Sequence, residues 1–120
     1  MKLDHFVILA RSLEASLLWY STLLEALGFT KTRDHVWLNA DGIAIDLREA
    51  KNGTADYERY APGLNHIGFT AGDECDMHRV RDVMCEAGFD VPEVQSFGEQ
   101  GIATFLRDPD GMRIEISVYA

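Results

Sequence analysis

The sequence predicts an α+β fold built from two βαβββ modules, and three observations carry that prediction. The chain is 120 residues long, the length of one ordinary domain. Its apolar pattern switches repeatedly between strand-like alternation and helical spacing. Three sequence blocks also recur in the same order. Leu3-Asp4-His5-Phe6-Val7-Ile8 is echoed by Leu64-Asn65-His66-Ile67-Gly68-Phe69, and Glu25-Ala26-Leu27-Gly28-Phe29 by Glu86-Ala87-Gly88-Phe89. Asp41-Gly42-Ile43-Ala44-Ile45-Asp46-Leu47 is echoed by Asp110-Gly111-Met112-Arg113-Ile114-Glu115-Ile116. Chance is a poor source of three matched blocks in one order, so the chain reads as a duplicated module, residues 1–60 and 61–120. Neither half has enough chain to bury much of a core alone, so residues 1–120 are expected to form a single domain.

The elements follow in order. Residues 3–8 alternate as a strand and lead into a helix for which Ser12 is a plausible N-cap. Leu13, Leu17, Tyr20, Leu24 and Leu27 recur at helical spacing, and Gly28 supplies the stop. Val36 to Asn39 precedes a turn at Asp41-Gly42, and residues 43–47 alternate beyond it. Residues Glu49 to Gly63, with Asn52-Gly53 and Pro62-Gly63, form a polar connection. The second module opens with a strand over 64–70. Its helix is capped by Asp73 or Asp76, striped by Met77, Val80, Met84 and Ala87, and ended by Gly88. Ala103 to Arg107, a turn at Asp110-Gly111 and an alternating segment to Val118 complete it.

Composition narrows the function classes. Eleven basic and 20 acidic residues give a formal charge of −9 with no basic cluster, which argues against nucleic acid as a partner. No apolar run approaches the roughly 18 residues of a membrane span, and Met1-Lys2-Leu3-Asp4-His5 lacks the apolar region of a signal peptide. Cys75 and Cys85 match neither a disulfide framework nor a CxxC metal pair, so they read as reduced thiols of a cytoplasmic protein.

Strand parity then sorts the side chains. Phe6 with Ile8, Ile67 with Phe69, Ile43 with Ile45 and Leu47, and Met112 with Ile114, Ile116 and Val118 form apolar faces that must pack beneath the helices. The opposite faces gather His5 and Asp46 in the first repeat and His66 and Glu115 in the second. A lone strand histidine is usually a packed or hydrogen-bonded residue. Two histidines at equivalent positions, with acids at another equivalent pair, instead suit a divalent cation such as iron, zinc, nickel or manganese. His5, His66 and Glu115 are the stronger candidates, and the shorter Asp46 is either a fourth ligand, a water-mediated one or a residue orienting a histidine. Two histidines and one carboxylate leave positions open for water or substrate.

At these residues the sequence resembles the vicinal oxygen chelate superfamily of glyoxalases, extradiol dioxygenases and fosfomycin- and bleomycin-resistance proteins. The resemblance is carried by the two openings at His5 and His66, by Trp19-Tyr20 to Leu27-Gly28-Phe29, and by Phe105-Leu106-Arg107-Asp108-Pro109-Asp110-Gly111-Met112-Arg113-Ile114-Glu115. It implies an open, mixed β-barrel with the helices outside, a homodimer, and a metal that chelates vicinal oxygens of a small substrate. His5, His66 and Glu115 match the family's ligand positions, and the fourth, often glutamate in glyoxalase-like members, is Asp46 here.

Two functions follow. One is a metal-dependent enzyme of the glyoxalase/dioxygenase kind, a lyase or isomerase or a ring-cleaving enzyme, in which Glu115 is the candidate catalytic base if it leaves the metal. The other is a metal-free protein that sequesters a small compound, as bleomycin-resistance proteins do. The intact His5, His66 and Glu115 favour the enzyme, because sequestration needs none of them. Arg48 and Arg113 share the concave-face parity, where they either grip an anionic substrate or pair with the acids beside them. Trp37, Tyr57 and Tyr60 either line a cavity mouth or cover the core or a dimer contact. His35 reads as a surface residue before a strand and His78 as a solvated helix residue.

Overall fold

The computed structural model describes residues 1–120 and divides them into two compact units, Met1–Asp56 and Tyr57–Ala120. In the first unit the order is β1 (His5–Ala10), α1 (Leu13–Ala26), β2 (Thr30–Arg33), β3 (Val36–Leu38) and β4 (Ala44–Glu49). In the second it is β5 (His66–Thr70), α2 (Glu74–Glu86), β6 (Gln95–Ser96), a single 3-10 turn at Gly98–Gln100, β7 (Gly101–Arg107) and β8 (Arg113–Tyr119). Each unit is therefore βαβββ, and the α+β class read from the sequence is the one observed.

Each unit forms one four-stranded mixed sheet, ordered β1-β4-β3-β2 in the first and β5-β8-β7-β6 in the second. The first pair in each order is parallel, β1 with β4 and β5 with β8, with β1 and β5 as edge strands and a helix in the connection that carries the chain back. The remaining neighbours are antiparallel and joined by tight turns. Val7 lies opposite Asp46 and Gly68 opposite Glu115, so the two carboxylates hold equivalent register positions.

Local chemistry explains the boundaries. Ser12 accepts a hydrogen bond from the Ala15 amide to open α1, and Asp73, rather than Asp76, accepts one from the Asp76 amide to open α2. Gly28 and Gly88 follow the helices at φ +91° and +89°, where a side chain would be strained. The buried face of α1 is Ser16, Trp19, Tyr20, Leu23 and Leu24, rotated from the expected stripe. Bulk decides this: Trp19 and Tyr20 pack edge to face with ring centroids 4.8 Å apart, while Leu13, Leu17 and Leu27 lie at the margins. In α2 Met77, Val80 and Met84 are buried as expected, whereas Ala87 is exposed.

Both Asp-Gly turns form, and each is organised by an upstream side chain. Asn39 Oδ1 accepts from the Ile43 amide, and the buried Asp108 accepts from the amides of Asp110 and Met112. The polar connection is divided between the units. The Arg11 guanidinium binds the carbonyls of Lys51, Thr54 and Ala55 and pairs with Asp56, while the Tyr57 hydroxyl donates to the carbonyls of Leu64 and Asn65. No helix is long and apolar enough to cross a membrane.

Candidate functional site

The apolar faces behave as parity requires: Ile8, Ile45 and Leu47 are buried in the first unit and Met112, Ile114 and Ile116 in the second. The opposite face of the second unit carries the chemistry. His66 at the start of β5 and Glu115 in β8 project from adjacent parallel strands, and Nε2 of His66 stands 3.0 Å from Oε2 of Glu115. Gly68 lies beneath the carboxylate, where a Cβ would stand in ordinary contact 3.8 Å from Oε2. The other carboxylate oxygen of Glu115 accepts a short hydrogen bond from the hydroxyl of Ser117, which is itself buried.

The imidazole is oriented from behind. Asn65 donates from Nδ2 to the Arg59 carbonyl at 3.0 Å, which leaves Oδ1 as the acceptor 2.8 Å from Nδ1 of His66. Nε2 is thereby turned toward the Glu115 carboxylate at an ordinary hydrogen-bond separation. The same spacing also suits a cation shared by both groups, because ligands about 2.1 Å from a divalent ion at right angles stand about 3 Å apart.

Equivalent residues of the first unit are arranged differently. Nδ1 of His5 lies 2.6 Å from Oδ2 of Asp4, so the residue preceding each histidine orients its ring. Asp46, by contrast, is gripped on Oδ2 by Nε of Arg48 at 2.8 Å and Nη2 at 2.7 Å. This forked contact raises the Arg48 pKa above its ordinary value, chiefly through the hydrogen bond and then through the charge of Asp46. Of the two expectations for Arg48, pairing with a neighbouring acid is the observed one. Within neither unit do three or more His, Cys, Asp or Glu side chains gather to hold a metal. The His66 and Glu115 pair fits two coordination positions, and the donor set is right for iron, zinc, nickel or manganese.

Arg113 lies opposite His66 in the register, with its guanidinium 5.9 Å from the centre of the Phe105 ring. Trp37 pairs with Ile45 in the register and is wholly buried, which fits the expectation that it covers the core. Tyr60 is exposed beneath the Arg59 guanidinium, and Tyr57 clamps the backbone before β5. His35 sits in the β2–β3 turn at φ +67°, with its carbonyl accepting from the Leu47 amide. His78 pairs along its helix with Glu74. Sequence reading missed Asp4, Asn65 and Ser117 as orienting groups, although Asp4-His5 and Asn65-His66 are themselves part of the repeat.

A pocket of ≈ 320 Å³ opens beside the pair in the second unit, lined by His66, Glu115, Ser117 and Gln100 with the aromatic rings of Phe97, Phe105 and Tyr119 among its apolar walls. Phe105 meets the His66 ring edge to face at 6.0 Å between centroids.

Residues 2–116 match the family model of the Glyoxalase/Bleomycin resistance protein/Dioxygenase superfamily. Among solved structures, a glyoxylase/bleomycin resistance protein/dioxygenase domain from a Frankia species is similar at TM-score 0.79 and 22% identity, covering 100% of this chain and 98% of that one. A fosfomycin resistance protein from Listeria monocytogenes is similar at TM-score 0.73 and 15% identity, with 100% and 94% covered. Lactoylglutathione lyase from Agrobacterium tumefaciens is similar at TM-score 0.65 and 15% identity, with 98% and 92% covered. At such identities the likeness concerns the fold. No functionally curated protein matches the chain significantly.

Proposed function

Since the chain belongs to the Glyoxalase/Bleomycin resistance protein/Dioxygenase superfamily, we propose that it is a small metal-dependent enzyme of the glyoxalase/dioxygenase kind. Its substrate is a small organic molecule bound through vicinal oxygens. The observation that carries this reading is the oriented approach of His66 Nε2 to Glu115 Oε2 at 3.0 Å. His66 and Glu115 hold the metal. Glu115 is preferred to Asp46 because Arg48 already occupies Oδ2 of Asp46.

A bound divalent ion supplies Lewis acidity, polarising a coordinated oxygen and lowering the pKa of its proton. The chain's own residues do the rest. Asn65 orients the His66 ring and Asp4 the His5 ring, each through Nδ1. Ser117 fixes one oxygen of Glu115 and leaves Oε2 as the atom that binds or takes a proton. Arg113, opposite His66 in the register, is the candidate to meet an electron-rich substituent on the substrate. A cytoplasmic homodimer accompanies this reading, and the two free cysteines, Cys75 and Cys85, suit a reducing compartment.

The test is the metal content of protein purified without chelator or affinity tag, beside a His66→Ala variant. Near-stoichiometric iron, zinc, nickel or manganese that is lost in the variant is expected. Absence of metal after reconstitution with each of these ions would overturn the enzyme reading in favour of sequestration.

A further inference from the structure

The polar connection after β4 carries a motif that the candidate site does not use, the pair Asn52-Gly53. The pair forms the centre of a turn closed by a long hydrogen bond, 3.5 Å, from the Thr54 amide to the Lys51 carbonyl. Gly53 takes φ +80° at the third position while Asn52 keeps a negative φ, which marks a type II turn. Both residues are exposed, and a Cβ built on Gly53 would meet nothing within 4 Å.

Hydrogen bonding sets this pair apart from its counterparts. Of the chain's three asparagines, Asn39 accepts from the Ile43 amide, and Asn65 is held at both ends of its side-chain amide by Arg59 and His66. The Asn52 side chain has no partner. In the two Asp-Gly turns the glycine amide is also engaged, Gly42 donating to the Asn39 carbonyl at 3.1 Å and Gly111 to the Asp108 carbonyl at 2.9 Å. The Gly53 amide donates to nothing. An unpaired side-chain amide therefore precedes an unpaired backbone amide, and glycine offers no side chain to obstruct their approach.

We infer that Asn52 is a site of spontaneous deamidation, and that its isoaspartyl product loosens the anchor held by Arg11. The Gly53 nitrogen attacks Cγ of Asn52, so a C–N bond forms and the Cγ–Nδ2 bond breaks. The proton lost by Gly53 balances the one that departs with ammonia, and a succinimide ring remains. Water then opens the ring. Attack at Cγ gives aspartate, and attack at the main-chain carbonyl gives isoaspartate, whose backbone runs through Cβ and Cγ. Either product adds one negative charge to a chain already at −9. Isoaspartate also adds one main-chain carbon inside the segment that Arg11 spans, from the Lys51 carbonyl at 3.4 Å to those of Thr54 and Ala55 at 3.0 and 2.9 Å. Nothing in this inference depends on the metal.

The experiment is peptide mapping by mass spectrometry of the full chain aged in mildly alkaline, heavy-oxygen water. Residue 52 should lose its amide and gain labelled oxygen while Asn39 and Asn65 remain intact. The folded chain should convert within about threefold of its rate in urea, because the fold gives this turn no protection. Gly53→Ala should slow conversion by about tenfold, since a Cβ crowds the attacking nitrogen, and Asn52→Gln should abolish it. In the isolated isoaspartyl form, hydrogen exchange at the Thr54 amide should rise about fivefold. Asn52→Asp, which carries the charge without the extra carbon, should leave that exchange unchanged. Conversion confined to urea, or earlier at Asn39 or Asn65, would overturn the site. Unchanged exchange in the isoaspartyl form, or an equal rise in Asn52→Asp, would overturn the loosening.

Discussion

Glu115 and Asp46 occupy the same register position in the two repeats, and their neighbours give them different work. Asp46 has a guanidinium fork on Oδ2, whereas Glu115 has a hydroxyl on one oxygen and an imidazole on the other. Asp46→Asn should therefore retain metal, and Glu115→Gln should lose it, as competition titration with a chromogenic chelator will read. Ser117→Ala removes only the hydrogen bond that orients Glu115. Orienting groups of this kind typically contribute about 10- to 100-fold in metal affinity, so the affinity should fall by about tenfold and recover in Ser117→Thr. Parity and repetition made the histidines and carboxylates legible, because those depend on backbone alternation alone. The Arg48 fork was one of two open expectations, since parity places Arg48 beside Asp46 without saying whether it pairs inward or outward. Trp37 was likewise left between a cavity mouth and the core, because it precedes the turn in a short strand whose register cannot be read without its partner; its burial fits the core.

At the scale of elements, caps and turns hold the strands that carry these groups. Ser12→Ala should cost about 1 kcal/mol by urea denaturation, the ordinary value of an N-cap hydroxyl. Gly101 is more demanding. It begins β7 at φ +126°, and a Cβ there would lie 2.1 Å from the Val118 carbonyl oxygen. Gly101→Ala should cost on the order of 3 kcal/mol, since strain and overlap combine and the obstacle is backbone. Gly28→Ala has a positive φ but open space around it, so about 1 kcal/mol is expected there. Helices and Asp-Gly turns were legible in the sequence because capping and turn chemistry are local. β2 and β6 were not, because Thr30–Arg33 and Gln95–Ser96 are exposed throughout and carry no apolar alternation. Their pairing partners, β3 and β7, define them.

For the whole molecule, duplication is the organising fact: each unit repeats one topology, and each brings one oriented histidine. The connection between them is tied down by Arg11 on one side and Tyr57 on the other. A metal bound only by the folded chain should stabilise it by about 2.7 kcal/mol at a hundredfold excess over the dissociation constant. Zinc or nickel should thus raise the melting temperature of the wild-type protein and leave His66→Ala unmoved. Activity and substrate were beyond the sequence because the superfamily's motifs mark a fold shared by many activities, while pocket residues such as Phe97 and Phe105 follow no repeat. The central claim is that His66 and Glu115 hold one metal. X-ray absorption spectroscopy of the zinc-loaded protein tests it most directly by detecting imidazole in the coordination sphere. An imidazole signal that is lost in His66→Ala is the predicted result. An imidazole signal that His66→Ala leaves unchanged would contradict it.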